Sequence, residues 1–316
     1  MPPLPGPDHR AGEKGGGRME MLQYDFMQRA FCAGGLIAII ASVLGVYLML
    51  RRQALMADML SHVSLAGVAA GAYLNWNPTL SGFLTAVVGA VAVEYVRRSY
   101  KTYSEISVAI IMVGGLSTAV VLMSLNKSIS KSFTSYLFGS VVAVDQTQLV
   151  LMAAVTVIGG LFFFLLRRPL YQMTFDEETA RVSGLPVGLI SMMFSVLTGM
   201  IVAAAMPVVG VLLVSSLIVL PASLAIRIAS RFSAALLLAV GIGLTGVFAG
   251  LTASYELSLP PGGTIALVLL ALLLIGVGLK KAVRFVRSKS SHVAAADTEM
   301  HTYGPIPRLS GDSHNH

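Results

Sequence analysis

The sequence predicts an all-α protein, a polytopic transmembrane helix bundle of eight or nine spans, and three observations carry that prediction. The chain is 55% hydrophobic and 12% charged, with a mean hydropathy of +0.79 over 316 residues, which is too apolar for a soluble globular protein. Apolar stretches of roughly 18 to 20 residues, the length that crosses a bilayer, recur from Ala30 almost to Lys280. Lys and Arg clusters occupy alternate loops, as cytoplasmic ends require. The formal charge of +7 therefore reads as a topology signal, and nucleic acid is not an expected partner, because no basic stripe interleaved with aromatics is present. Cys32 is the only cysteine, so neither an intrachain disulfide nor a Cys-based zinc site can form.

Residues 1–21 are rich in Pro and Gly without apolar periodicity and predict a disordered leader, with Met19 and Met21 available as alternative starts. Residues 22–287 form one membrane domain. Apolar windows bounded by charges or by Gly, Pro and Asn place spans at 30–50, 54–74, 79–96, 106–125, 147–166, 187–206, 209–226, 234–254 and 263–281. The count falls to eight if 187–226 is not two full crossings. Residues 136–144 are apolar but too short to span, so they form a re-entrant piece or part of a broken helix. Arg51 and Arg52, Arg97, Arg98 and Lys101, Arg167 and Arg168, Arg227 and Arg231, and Lys280 to Arg287 mark the cytoplasmic side. Nine spans leave the N-terminus outside and the C-terminus inside. Small residues at packing spacing, Gly67 with Gly71 and Gly246 with Gly250, suit close helix contact. Residues 288–316 are polar and predict a disordered cytoplasmic tail, whose four histidines read as solvated bystanders.

The most informative segment is 51–74, RRQALMADMLSHVSLAGVAAGAYL, which sets Asp58 and His62 four residues apart in an apolar helix, on one face. An ionisable group at a helix centre in the bilayer costs at least about 2.5 to 3.5 kcal/mol, so such groups face protein, water or an ion. A carboxylate oxygen and an imidazole nitrogen suit zinc, manganese or iron(II). Two donors are too few for zinc, and no other His lies in the spans. A symmetric dimer that brings two copies of the pair together would supply four. The competing account is local: Asp58 bonding backbone groups at a helix start, and His62 bonding the hydroxyl of Ser61 or Ser64. Glu94 reads as structural, three and four residues before Arg97 and Arg98.

The most polar interior loop, TFDEETARVSG at 174–184, falls on the cytoplasmic side. Thr174 or Asp176 can cap a short helix whose first turn holds Glu177 and Glu178; Gly184 stops it, and Pro186 opens the next span. It is either a surface helix or a docking site for a cytoplasmic partner. The chain has no phosphate-binding loop, HExxH or GxSxG motif, so it is not expected to be an enzyme or to hydrolyse ATP itself.

Four segments in order, LRRQALMADMLSHVSLAGVAAGAYL at 50–74, YLFGSVV at 136–142, TFDEETARVSGLP at 174–186 and VGVLLVSSLIVLPASLAIRIA at 209–229, resemble the membrane permease subunits of bacterial ABC importers for zinc and manganese. SHVSLAG and FDEETA look most like the zinc branch. The resemblance covers about residues 21–285. It implies a compact importer permease of the multi-pass cytoplasmic membrane, acting as a homodimer with two cytoplasmic ATP-binding subunits and an extracellular metal-binding lipoprotein. It further implies transported Zn2+ or Mn2+ with no permanent cofactor, and a metal pair at Asp58 and His62. Phe175, Asp176, Glu177, Glu178, Ala180 and Gly184 are the implied coupling contacts for the ATPase. The competing function is a proton-coupled secondary metal transporter that works without an ATPase.

Overall fold

The computed structural model describes residues 25–99, 104–125, 129–140 and 144–302. The leader at 1–21 lies outside them, as do Lys101, Lys127, Val141 and Val142. Among the described residues every regular element is a helix. The first unit, ending at Leu273, holds α1 (Asp25–Leu50), α2 (Leu55–Tyr73), α3 (Pro78–Ser99), α4 (Ser104–Leu125), α5 (Ile129–Phe138), α6 (Gln146–Leu165), α7 (Arg167–Phe175), α8 (Glu177–Val182), α9 (Val187–Val209), α10 (Val214–Ile228) and α11 (Phe232–Leu257). It also holds the beginning of α12 (Pro261–Thr302), whose remainder forms the second unit, from Leu274. Helix continues through Thr302, past Ser288, where the sequence places the start of a shapeless tail. No Pro or Gly interrupts the chain between Gly278 and Gly304.

Eight of these helices, α1, α2, α3, α4, α6, α9, α11 and α12, are long and apolar enough to cross a membrane. The ninth span expected at 209–226 becomes α10, which has 15 residues. Its length of about 22 Å is less than a roughly 30 Å hydrocarbon core, so α10 brings the chain back to the end where α9 starts as a short helix and not as a full-length span. The reason is local. Gly210 has φ 85°, and the amides of Val211 and Leu212 donate to the carbonyls of Tyr136 and Leu137 at 2.9 and 3.3 Å, so the α9 ladder stops. In return Ser140 donates its amide to the Pro207 carbonyl at 3.1 Å. A Cβ on Gly139, whose φ is 76°, would stand 2.3 Å from the Val208 carbonyl oxygen. The piece at 136–140 is thus the end of α5 laid across the α9–α10 turn.

The basic ends collect at one end of the bundle. Met49 and Leu50 of α1, Ile226 of α10 and Phe232 of α11 share one apolar cluster, while Arg51, Arg97 and Arg98 all reach the start of α9. That common end is the cytoplasmic one by the distribution of positive charge. Close packing fixes α2 between its neighbours. Cβ atoms on Gly67 and Gly71 would meet Thr85 and Ser81 of α3 at 2.4 to 2.6 Å, and one on Gly115 of α4 would come to 3.1 Å from the backbone at His62 and Val63.

Candidate functional site

Asp58 stands in the first turn of α2 and His62 one turn later. His62 Nε2 lies 4.0 Å from Asp58 Oδ1; the His62 side chain is 11% exposed and that of Asp58 34%. His62 Nδ1 is buried with no hydrogen-bond partner. The two hydroxyls that offered it a local partner are engaged elsewhere: Ser61 Oγ donates to the Ala57 carbonyl at 2.8 Å, and Ser64 Oγ donates to the Gly82 carbonyl at 3.1 Å. An imidazole with an unused buried nitrogen beside a half-exposed carboxylate is chemically open, able to accept a cation or a proton. Among the described residues no three His, Cys, Asp or Glu side chains gather as a metal-binding group, so one chain brings two donors.

A second polar group lies at the cytoplasmic end, and there the carboxylate is closed. Glu94 is fully buried. Oε1 accepts from Arg97 Nη2, Arg98 Nε and Arg98 Nη2, each at 3.0 Å, and Oε2 accepts from Arg97 Nη2 and Ser195 Oγ at 2.8 Å. Arg97 and Arg51 both donate to Ser191 Oγ, at 2.8 and 3.1 Å, and Arg98 donates to the Gly188 carbonyl. The Arg51 guanidinium lies 4.7 Å from the centre of the Phe194 ring. Burial, then the neighbouring Arg97 charge, lowers the Arg51 pKa to about 10, which keeps it cationic at neutral pH. The spacing of Glu94, Arg97 and Arg98 was readable from the sequence. Arg51, Ser191 and Ser195 were not, because they join the group from 43 to 101 positions away, and serines in an apolar helix carry no signal of their own.

The loop at 174–184 folds as the end of α7 and all of α8. Asp176 is the cap: its carboxylate accepts the Thr179 amide at 3.0 Å and the Thr179 hydroxyl, and those bonds hold the carboxyl below the usual carboxylate range. Thr174, the other candidate cap, instead donates to the Leu170 carbonyl at 2.6 Å. Phe175, Glu177 and Glu178 are exposed, Ala180 is buried inward, and Gly184 turns the chain with φ 82°. Val182, which the sequence reading passed over, is 89% exposed. A cavity of about 850 Å³ opens between α3, α8 and α9, lined by Glu94, Arg97, Arg98, Glu177, Glu178 and Ser191 among others.

Residues 23–280 match the family model described as the ABC 3 transport family. The chain belongs to that family. This permease is accordingly a membrane transport protein and not an enzyme, with ATP hydrolysis on a separate subunit; the ATPase-free secondary transporter is set aside. It is 36% identical over 268 residues to a "probable metal transport system membrane protein" of Treponema pallidum (strain Nichols), covering 84% of this chain and 99% of that one. It is 29% identical over 249 residues to the manganese transport system membrane protein MntC of Halalkalibacterium halodurans, covering 79% and 85%. Among solved structures, PsaBC from Streptococcus pneumoniae in complex with Fab superposes with a TM-score of 0.73 at 26% identity, over 82% of this chain and 93% of that one. Neither relative's name carries zinc, so the likeness to a zinc branch is reduced to membership of the wider family.

Proposed function

We propose that this permease forms, as a homodimer, the membrane path of an ATP-driven importer for a divalent transition-metal ion, Zn2+ or Mn2+. The single observation behind the choice of site is the open pair on α2: a buried His62 Nδ1 without a partner, next to a carboxylate that keeps a third of its surface. Two copies meeting around a twofold axis would offer two carboxylates and two imidazoles, a donor set that suits either ion. Asp58 and His62 hold the ion transiently. Tight binding would defeat release, so the site is built from few donors. An extracellular metal-binding lipoprotein delivers the ion, and two cytoplasmic ATP-binding subunits drive access from one side to the other.

The ATP-binding subunits dock on α7–α8. Phe175, Glu177 and Glu178 present the contact surface, and Val182 joins them; Asp176, Ala180 and Gly184 shape the helix that carries it. The Asp and His donors bind zinc more tightly than manganese by default, whereas the relatives' names bring manganese forward. Uptake of each ion into proteoliposomes holding the full complex orders the two. The same assay tests the site: Asp58→Ala and His62→Ala abolish uptake while the complex still assembles and hydrolyses ATP. Wild-type uptake in either variant would rule the pair out.

A further inference from the structure

The Glu94 group joins three parts of the chain that the importer needs to move together. We propose that Glu94 is a positioning residue that fastens the start of α9, and through it the docking helix α8, to the cytoplasmic ends of α1 and α3. This inference rests on the importer reading above.

The path is short at each step. Only residues 183–186 separate α8 from α9, and they are held by bonds from the Gly184 amide to the Arg181 carbonyl and from the Leu185 amide to the Ala180 carbonyl. Gly188, Ser191, Phe194 and Ser195 then form one stripe on the first turns of α9, and each meets an arginine or Glu94. Arg97 and Arg98 end α3, which packs on α2 through Gly67 and Gly71. Arg51 opens the 51–54 link, seven residues before Asp58. A displacement of α8 therefore reaches the helix that carries Asp58 and His62 by two routes, through α3 and through the 51–54 link.

The chemistry of the group favours transmission over simple anchoring. Apolar side chains of similar volume commonly stabilise a core as well as a buried ion pair does, so stability alone is a weak reason for Glu94. A carboxylate with both oxygens committed has a discrete geometry and cannot slide as apolar contacts do. Two guanidiniums, of Arg97 and Arg98, bond this one carboxylate and a third, of Arg51, joins through Ser191, while Arg51 Nη1 and Arg97 Nε are buried without partners. The cavity beside them is also lined by Glu177 and Glu178. Glu177 also pairs with Arg181 at 3.4 Å on α8 itself, so movement of α8 carries that pair and Glu178 toward or away from Arg97 and Arg98 together.

The test uses the full complex with its ATP-binding subunits in proteoliposomes, measuring ATP hydrolysis together with uptake and nucleotide-free binding of Zn2+ and of Mn2+. Glu94→Gln keeps the shape and removes the charge. Ser191→Ala and Ser195→Ala each remove one hydroxyl and carry the test if Glu94→Gln does not fold. The expected result is a fall of about tenfold in ions moved per ATP, within the usual range of coupling energies, with hydrolysis and static binding near wild type. Uptake and hydrolysis falling in proportion, or an unchanged ratio in all variants, would overturn the proposal while leaving the importer reading intact. A wild-type complex that moves no metal with ATP would overturn both.

Discussion

Two buried polar groups sit on adjacent helices of this permease, and they differ in one respect. Around Glu94 both carboxylate oxygens are satisfied and the side chain is fully buried. Around His62 one ring nitrogen is unused, the nearest carboxylate is 4.0 Å away, and the pair remains partly open. Both begin as a carboxylate with a basic partner three or four positions along a helix, so spacing does not distinguish them. Satisfaction does. A satisfied carboxylate holds helices to one another even though Arg51 Nη1 and Arg97 Nε beside it lack partners, whereas an unused imidazole nitrogen with only a half-open carboxylate nearby leaves His62 able to accept a proton or a cation.

The comparison can be broken by experiment. The largest expected effect is on transport: Asp58→Ala or His62→Ala lowers metal uptake by more than the roughly 10- to 100-fold that outer-shell changes at metal sites cost. The thermal midpoint of the purified protein stays within a few degrees of wild type in the same variants. Glu94→Ala is expected to do the reverse to stability. Leaving its arginines without a carboxylate costs about 3 kcal/mol, the low end for a broken buried pair, because the Arg98 side chain is 42% exposed. Thermal unfolding in detergent measures it, and an unchanged midpoint would erase the distinction between the two groups.

A smaller effect is expected at Gly115, whose added side chain would press on the backbone at His62 and Val63 from 3.1 Å. Gly115→Val is expected to weaken metal binding severalfold without touching a donor atom, read by isotope binding to the purified complex. The smallest effect concerns α8. Thr179 holds the Asp176 carboxyl below its ordinary range, so the cap is in place above the usual carboxylate value and is lost only as pH falls through the lowered one. Hydrogen exchange at the Thr179 amide, corrected for its intrinsic pH dependence, follows that loss. Asp176→Asn is expected to leave protection flat over the same acid range.

Much of this architecture was legible in the linear chain. Seven of the eight long helices fall within a few residues of their apolar windows, and the eighth, α12, runs on past its window, because length and hydropathy suffice to define a span. The Asp58–His62 spacing and the acidic first turn of α8 are local facts of the same kind. The short α10 was not legible, since what ends α9 is a pair of amides bonded to carbonyls 75 residues earlier in the chain. Nor was the choice of Asp176 over Thr174 as cap: the Thr174 hydroxyl donates back to the Leu170 carbonyl, and the Asp176 carboxylate accepts the Thr179 amide.

The sequence by itself determined that the chain lives in a membrane and where its long spans lie, and it offered Asp58 and His62 as candidate donors, because those depend on hydropathy and on periodicity along one helix. Only the tertiary structure decided which charged group is closed and which is open. Ser191, Ser195 and Arg51 complete Glu94 from distant positions, while Ser61 and Ser64 turn away from His62 to backbone carbonyls. Hydrogen-bond satisfaction is a property of neighbours in space, and folding alone chooses those neighbours.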